Sequence, residues 1–342
     1  MAASRATSSE QIGEFVIKRL LRRVMFWLIL AVGVAIIVLY QQDARVTTAV
    51  LASTLRQSTP LILGALCGLL GERSGVINIG IEGQMLMAAF IGFMVSAWTG
   101  NLLVAALVGV LTGALLGALL AFMSVTLKMD QIIGGTVINI LAFGLTGYFY
   151  QVGITTSGKL LPIPLGFLAD LPLIGPVLFN NPPITYLTLV LVVVVHYVLF
   201  YTRWGLRTRA VGEHPSAADT VGINVYFMRY ANVIMGGAIA GLAGVYLTLE
   251  AVGSFERGMT NGRGFVALAV MIFGKWTPFG AWGAALLFGL ATALQTQLQF
   301  FDVQVPHQFV GMLPYLLTIV VLAGFVGRAR PPAASGQPYE TG

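Results

Sequence analysis

Long apolar runs separated by brief polar breaks give this chain the pattern of an all-α polytopic membrane protein, with ten predicted spans. Most of the runs approach the ~20 residues that a helix needs to cross hydrocarbon. The predicted spans cover residues 24–40, 48–71, 80–98, 102–127, 131–150, 184–202, 230–251, 264–274, 279–300 and 308–327. Together they make one transmembrane domain, 24–327, between an N-terminal extension, 1–23, and a C-terminal tail, 328–342. The eighth span is short: at 1.5 Å per residue, ~11 residues cover about half of a ~30 Å core. It reads as a half-helix fed by a re-entrant segment.

Composition supports this pattern. Charged residues are 9% of the chain, against about a quarter in soluble domains, so no separate soluble domain is expected. The net charge of +6 does not point to nucleic acid, because the basic residues lie in short groups beside apolar runs. Such groups orient a membrane protein. With a cytoplasmic N-terminus, the inner segments hold Lys18, Arg19, Arg22, Arg23, Arg73, Lys128, Arg203, Arg207, Arg209, Arg229, Lys275, Arg328 and Arg330. The outer segments hold Arg45, Arg56, Lys159, Arg257 and Arg263. Both termini are therefore expected in the cytoplasm. The stretch 25–40 resembles a signal peptide without a small-residue cleavage site, and is expected to be a retained first helix. Cys67 is the sole cysteine, and His196, His214 and His307 show no metal-ligand spacing. Neither a disulfide nor a metal site is expected; Cys67 and His196 read as packing residues.

Glycine recurs every fourth residue at Gly109, Gly113 and Gly117 and again at Gly237 and Gly241. That spacing lets helices approach closely in lipid and reads first as helix packing. The external loop 151–183, rich in proline and glycine, is long enough to offer a surface to an outside partner.

Two polar inserts interrupt the apolar pattern. The first, GERSGVINIGIEGQ (71–84), follows the second span, and ERGMTNGRG (256–264) follows the seventh. Each runs from Glu-Arg through an asparagine, Asn78 or Asn261, to a charge followed by glycine, Glu82-Gly83 or Arg263-Gly264. Alternating topology makes the second and seventh spans run in opposite directions, so spans 2–5 and 7–10 are expected to form an inverted repeat. Broken helices in inverted repeats mark transport pathways, because irregular backbone at membrane depth is tolerated only inside protein or along a water-filled cavity. Glu82 and Arg263, opposite in sign, are expected to approach each other or to bracket one cavity. Asn139 and the Gln295, Gln297, Gln299 series add polar groups within spans five and nine. Interhelical hydrogen bonding is the first reading for these.

Between the sixth and seventh spans lies a cytoplasmic loop, 203–229, with a two-turn helix expected from Pro215 or Ser216 to a stop at Gly222. No Gly-x-x-x-x-Gly-Lys-Ser/Thr phosphate loop occurs, and no nucleophile elbow or nucleophile–histidine constellation either. The chain is therefore not read as an enzyme or as an ATP binder.

GERSGVINIGIEGQM (71–85), GEHPSAADTVGINV (212–225) and GRGFVALAVMIFGKWTPFG (262–280) resemble the permease subunits of bacterial ATP-binding-cassette importers for branched-chain amino acids, simple sugars and nucleosides. The likeness covers about residues 54–325 and is strongest to nucleoside-type permeases. It implies a plasma-membrane subunit that pairs with a second, different permease, with ATP bound by a separate ATPase and no cofactor of its own. It also implies an extracytoplasmic substrate-binding lipoprotein of the basic-membrane-protein type. The loop 212–222 would be the helix that docks into the ATPase, through Glu213, His214, Pro215, Ala217, Ala218, Asp219 and Gly222. Asn78, Glu82, Gln84, Asn139, Asn261, Arg263, Phe265 and Gln295 would line the pathway. Phe265, Trp276 and the Gln295 face are the groups available to stack on and hydrogen-bond a nucleoside. Sugar import on the same architecture is the alternative; an ion-driven secondary transporter using Glu82, or Glu250, is a more distant one. The extension 1–23 is longer than expected of the shorter nucleoside-type permeases and the tail RPPAASGQPYETG matches nothing in the family; neither is expected to bear on the pathway.

Overall fold

The computed structural model describes residues 34, 36–151, 153–156, 158–300, 312 and 330–340. The extension 1–23, most of the predicted first span and nearly all of the tenth lie outside the described residues. Two units are distinguished, 1–50 and 51–342, and the site belongs wholly to the second.

Helix α1 (Ala44–Arg73) contains Pro60, which removes one backbone donor. Just before it, the Ser58 and Thr59 hydroxyls both donate to the Leu55 carbonyl, at 2.8 and 2.9 Å. Helix α2 (Ile81–Thr99) follows the first insert, then α3 (Leu102–Ala121), which opens into a wider π-helical turn over Phe122–Thr126. Asn101 and Asp130 accept backbone N–H groups at the starts of α3 and of α4 (Gln131–Phe149), the usual role of N-cap residues. The loop after α4 carries a two-stranded antiparallel pair, β1 (Ile163–Pro164) with β2 (Asn180–Asn181), and a single helical turn α5 (Ile174–Leu178). Helix α6 (Pro183–Tyr201) leads to the polar loop 203–229. Then come α9 (Val225–Val245), extended by a π-helical stretch over Tyr246–Val252, the half-helix α10 (Arg263–Phe273), and α11 (Pro278–Phe300).

Six of these helices, α2, α3, α4, α6, α9 and α11, are long and apolar enough to cross a membrane. Helix α1 is as long but carries Arg56-Gln57-Ser58-Thr59 at its middle. Its second half, Leu61 to Leu70, is almost wholly enclosed by protein, so it needs no lipid-facing surface. Predicted span seven begins five residues late, because Asn224 caps α9 one turn further out by accepting the Phe227 N–H at 2.8 Å.

The two glycine series meet each other. A Cβ on Gly117 would sit 3.1 Å from the Gly237 Cα, and one on Gly113 would sit 2.5 Å from the Gly241 Cα. Helices α3 and α9 thus pack backbone to backbone, the close approach that small residues allow. The polar loop between α6 and α9 is more ordered than its sequence suggests. Beyond the expected two-turn helix, α8 (Pro215–Thr220), residues Arg203–Glu213 form α7, whose N-cap Thr202 accepts from the Gly205 N–H at 3.3 Å. The run RWGLRTRAVGE places Val211 inward and leaves most of its charges outward, so it is helical instead of an extended connector. The tail also departs from expectation: residues 330–340 lie against the polar loop and the first insert.

Candidate translocation site

The site is built where the two polar inserts meet. Glu82, at the start of α2, is 1% exposed. Its Oε1 accepts the Gly262 N–H at 2.8 Å and its Oε2 accepts the Gly264 N–H at 2.7 Å. These are free amides at the N-terminus of α10, where a helix concentrates positive potential. The carboxylate thus caps the half-helix of the second insert from within the first. Glycine is required on both sides of this contact. Gly262 has φ +77°, and a Cβ on Gly264 would lie 2.6 Å from the Glu82 Cα.

Arg263 is brought to the same place but does not form the ion pair that its charge suggests. Its Nη1 turns back to donate to the carbonyls of Met259 at 2.9 Å and Thr260 at 3.4 Å. The physical reason is competition: a backbone amide already holds each carboxylate oxygen, and nearby carbonyls satisfy the guanidinium locally. The two groups bracket one junction without touching as an ion pair; among the described residues, Lys128–Glu340 is the pair within 4 Å.

The first insert grips α10 at its other end as well. Glu72 Oε2 accepts from the Trp276 indole Nε1 at 2.5 Å, while Arg73 donates to the Trp276 carbonyl from Nε at 3.0 Å and from Nη2 at 2.7 Å. Lys275 and Trp276 are both held at positive φ, 53° and 51°, a conformation that costs energy for residues with a side chain and persists only when its surroundings enforce it. Along its length α10 rests on glycines of α1, with a Cβ on Gly68 meeting Met271 Sδ at 3.1 Å. Eleven residues between two clamps make α10 a rigid strut.

The remaining pathway candidates divide. Asn78 Nδ2 donates to Gln84 Oε1 at 3.1 Å and lies 3.3 Å from Cys67 Sγ, forming a buried cluster in which Asn78 Oδ1 and Gln84 Nε2 have no partner among the described residues. Cys67, read from sequence as packing, belongs to this cluster. Asn139 braces the insert from α4, accepting the Gly83 N–H at 2.7 Å and donating to the Ile79 carbonyl at 3.1 Å. Gln131, which the sequence did not single out, accepts the Ile77 N–H at 2.7 Å. Asn261 is exposed at φ 45° in the turn before α10. Phe265 is exposed and Gln295 half-buried; among the described residues neither hydrogen-bonds to the inserts. Trp276 is buried in its clamp and is unavailable for stacking on a substrate.

Helix α8 presents an exposed face. Glu213, His214, Ala217, Asp219 and Gly222 are exposed, Pro215 is half-buried, and Ala218 is buried against Val211, Val225, Met228 and Tyr339. Gly222 ends the helix at φ +82°.

Comparison with known proteins bears on this geometry. The family model described as "Branched-chain amino acid transport system / permease component" matches residues 50–322. The chain belongs to this permease family. The permease is 40% identical over 316 residues to the guanosine ABC transporter permease protein NupQ of Bacillus subtilis, covering 87% of this chain and 98% of that one. It is 39% identical over 307 residues to the nucleoside ABC transporter permease protein NupC of Lactococcus lactis, covering 85% and 96%. A putative glucose ABC transporter permease protein, TsgC13 of Haloferax volcanii, is 38% identical over 296 residues, 80% of this chain and 90% of that one. No solved structure matches the chain. The permease is a multi-pass membrane protein, and both inserts and the α7–α8 loop fall inside the family match.

Proposed function

We propose that this permease is the membrane subunit of an ATP-driven nucleoside importer in the bacterial plasma membrane. The observation that carries the reading is near-full-length similarity, at 40 and 39% identity, to a guanosine and a nucleoside permease. In this reading the chain has ten spans with both termini cytoplasmic, and spans 2–5 and 7–10 form an inverted repeat around the junction of the two inserts. Substrate passes beside Asn78, Glu82, Gln84, Asn139, Asn261, Arg263, Phe265 and Gln295. A second, different permease supplies the other half of the pathway, an extracytoplasmic lipoprotein delivers the nucleoside to the external loops, and separate ATPase subunits bind ATP.

The α8 helix is the handle. Its exposed residues enter a groove of the ATPase, and closure of the ATPase pair on ATP moves α7, α8 and the inner end of α9 together. Coupling requires the ATPase to bind the two permease states unequally. The strut α10, clamped at both ends to the first insert, then makes the two repeats shift as bodies against each other. The relative described for glucose supports sugar import as the second reading.

Uptake of labelled guanosine into proteoliposomes holding the complete complex, challenged with unlabelled nucleosides, ribose and glucose, tests the proposal. Competition by nucleosides alone is expected. Competition by the sugars alone would transfer the assignment to sugar import.

A further inference from the structure

The tail 330–340 has no part in the reading above, yet it is folded onto the functional face. Residues 332–337 make a tight turn, with Ser335 N–H donating to the Pro332 carbonyl at 3.0 Å and Gln337 N–H to the Ala334 carbonyl at 3.2 Å. Two tail amides then reach different elements: Ala334 donates to the Gly212 carbonyl in the coupling loop at 2.9 Å, and Gly336 donates to the Gly75 carbonyl in the first insert at 3.2 Å. Gly336 has φ +79°, and a Cβ there would lie 2.9 Å from Ile77 Cδ1. Only glycine fits that approach.

Three further contacts anchor residues 337–340. The Gln337 carbonyl accepts from Nη1 of Arg229, a guanidinium at the foot of α9 that is 1% exposed and whose Nε and Nη2 have no partner among the described residues. A buried cation left without acceptors is costly, so Arg229 depends on the tail. Tyr339 packs into the apolar cluster that includes Ala218 of α8, and its hydroxyl donates to Asp219 Oδ2 at 2.8 Å. Glu340 pairs with Lys128, 2.9 Å away at the end of α3.

We propose that residues 330–340 form a strap that fixes the coupling helix and ties it mechanically to the first insert, so that the tail is part of the surface on which the ATPase acts. The proposal rests on the docking role assigned above to α8. Six residues of helix alone hold few contacts, but the strap joins α8, the coupling loop, α9 and the insert by one continuous segment. Displacement of Asp219 and Gly212 is then passed to Gly75, whose insert ends in the Glu82 clamp.

The test uses the complete complex in proteoliposomes and reads two quantities: ATP hydrolysed per guanosine imported, and hydrogen exchange of the tail amides. Deletion of residues 331–342 and the variant Gly336→Val, which undocks the tail without shortening it, are both expected to raise the ATP cost per guanosine by roughly five-fold or more, the value of about one lost hydrogen bond. Tyr339→Phe is expected to fall between these and the natural chain. The Ala334 and Gly336 amides are expected to exchange well over ten-fold more slowly than in the free tail peptide. Exchange at the free-peptide rate overturns the strap outright. Ala217→Arg, on the exposed face of α8, separates the two readings. If it uncouples while deletion and Gly336→Val leave the ratio unchanged, the strap is wrong and docking at α8 stands. If Ala217→Arg also leaves the ratio unchanged, the docking role fails and the strap fails with it.

Discussion

Replacement of Glu82 tests the central junction most directly. Its carboxylate accepts two backbone hydrogen bonds, at 2.8 and 2.7 Å, from amides that have no other partner in α10. Hydrogen bonds to a charged group are worth about 1.5–3 kcal/mol each, so Glu82→Ala should cost about 3–5 kcal/mol after some local relaxation. Glu82→Gln keeps one carbonyl acceptor but sets an amino group against an N–H donor, and should cost about half as much, ~2 kcal/mol. Arg263→Gln should cost less than either, because the guanidinium contacts carbonyls of its own turn and not the carboxylate. Cys67 supplies the assay: it is the sole cysteine and is 1% exposed, so a thiol-reactive dye reports opening of the core during an SDS titration in mixed micelles. The combined Glu82→Gln and Arg263→Gln chain should show a coupling of no more than ~1 kcal/mol, since the two charges are near enough to interact but share no bond. A coupling of 2 kcal/mol or more, with Arg263→Gln as damaging as Glu82→Gln, would refute capping and restore a direct ion pair.

Three further outcomes are expected. Gly237→Ala places a methyl against Gly113 and Gly117 backbone and should destabilise by about 1–3 kcal/mol, whereas Gly144→Ala, with nothing within 4 Å, should be neutral or stabilising by up to ~1 kcal/mol; the same Cys67 titration measures both. Glu250→Gln should lower stability by weakening the cap on α6, yet uptake should still be driven by internal ATP without any ion gradient; abolition of uptake by a protonophore at fixed ATP would contradict this. Finally, Lys128 holds the Glu340 carboxyl below its ordinary value of 4.5, and donation to Asp219 holds the Tyr339 hydroxyl above its ordinary 10.0. The carboxylate's contribution is present above its unfolded pKa and is lost as pH falls through the lowered value. The tyrosine's is present below 10.0 and is lost as pH rises through the raised one. A fluorophore on Gln337→Cys should therefore report constant docking from pH 6 to 9 and release toward both extremes.

The apolar rhythm made most of the fold legible, because a bilayer forces every backbone polar group into helices and so leaves few alternatives. The short span gave the half-helix, and the matched Glu-Arg inserts gave the two segments that meet. What sequence could not supply was the partner of each charge. Opposite sign suggested Glu82 with Arg263, but backbone amides are invisible in a residue pattern, and those of Gly262 and Gly264 won the carboxylate. The same blindness hid Gln131 and Cys67, whose roles arise from backbone and amide groups brought together across 54 and 11 residues of chain. The spacing Gly-Arg-Gly at 262–264 was the available signal, since two glycines around the first turn of a helix leave its amides open to a ligand. Helix α7 and the tail escaped for a different reason: polar residues outside the apolar spans follow no bilayer constraint, and their order comes from tertiary contacts such as Arg229 with Gln337.

The fate of the buried carboxylates bears on how the permease is driven. Glu72, Glu82 and Glu250 are 7, 1 and 5% exposed, and each is engaged by N–H donors. Glu72 takes the Trp276 indole, Glu82 the first amides of α10, and Glu250 the Ile184 and Thr185 amides together with the Thr185 hydroxyl. Carboxylates used in this way stabilise helix ends and turns that would otherwise leave donors unpaired at membrane depth. A proton- or sodium-coupled transporter needs the opposite arrangement, a carboxylate whose partner changes between states at little cost. Releasing Glu82 or Glu250 would break two or three bonds at once, and the bound ion would have to replace them all. Energy is more easily delivered from outside the bundle, through the projection α7–α8, which touches the first insert through Gly212, whose added Cβ would strike the Arg73 carbonyl, and through the tail amides that bond Gly212 and Gly75. The same hydrogen bonds that make these carboxylates poor ion sites make α10 and the first insert stiff enough to carry that motion.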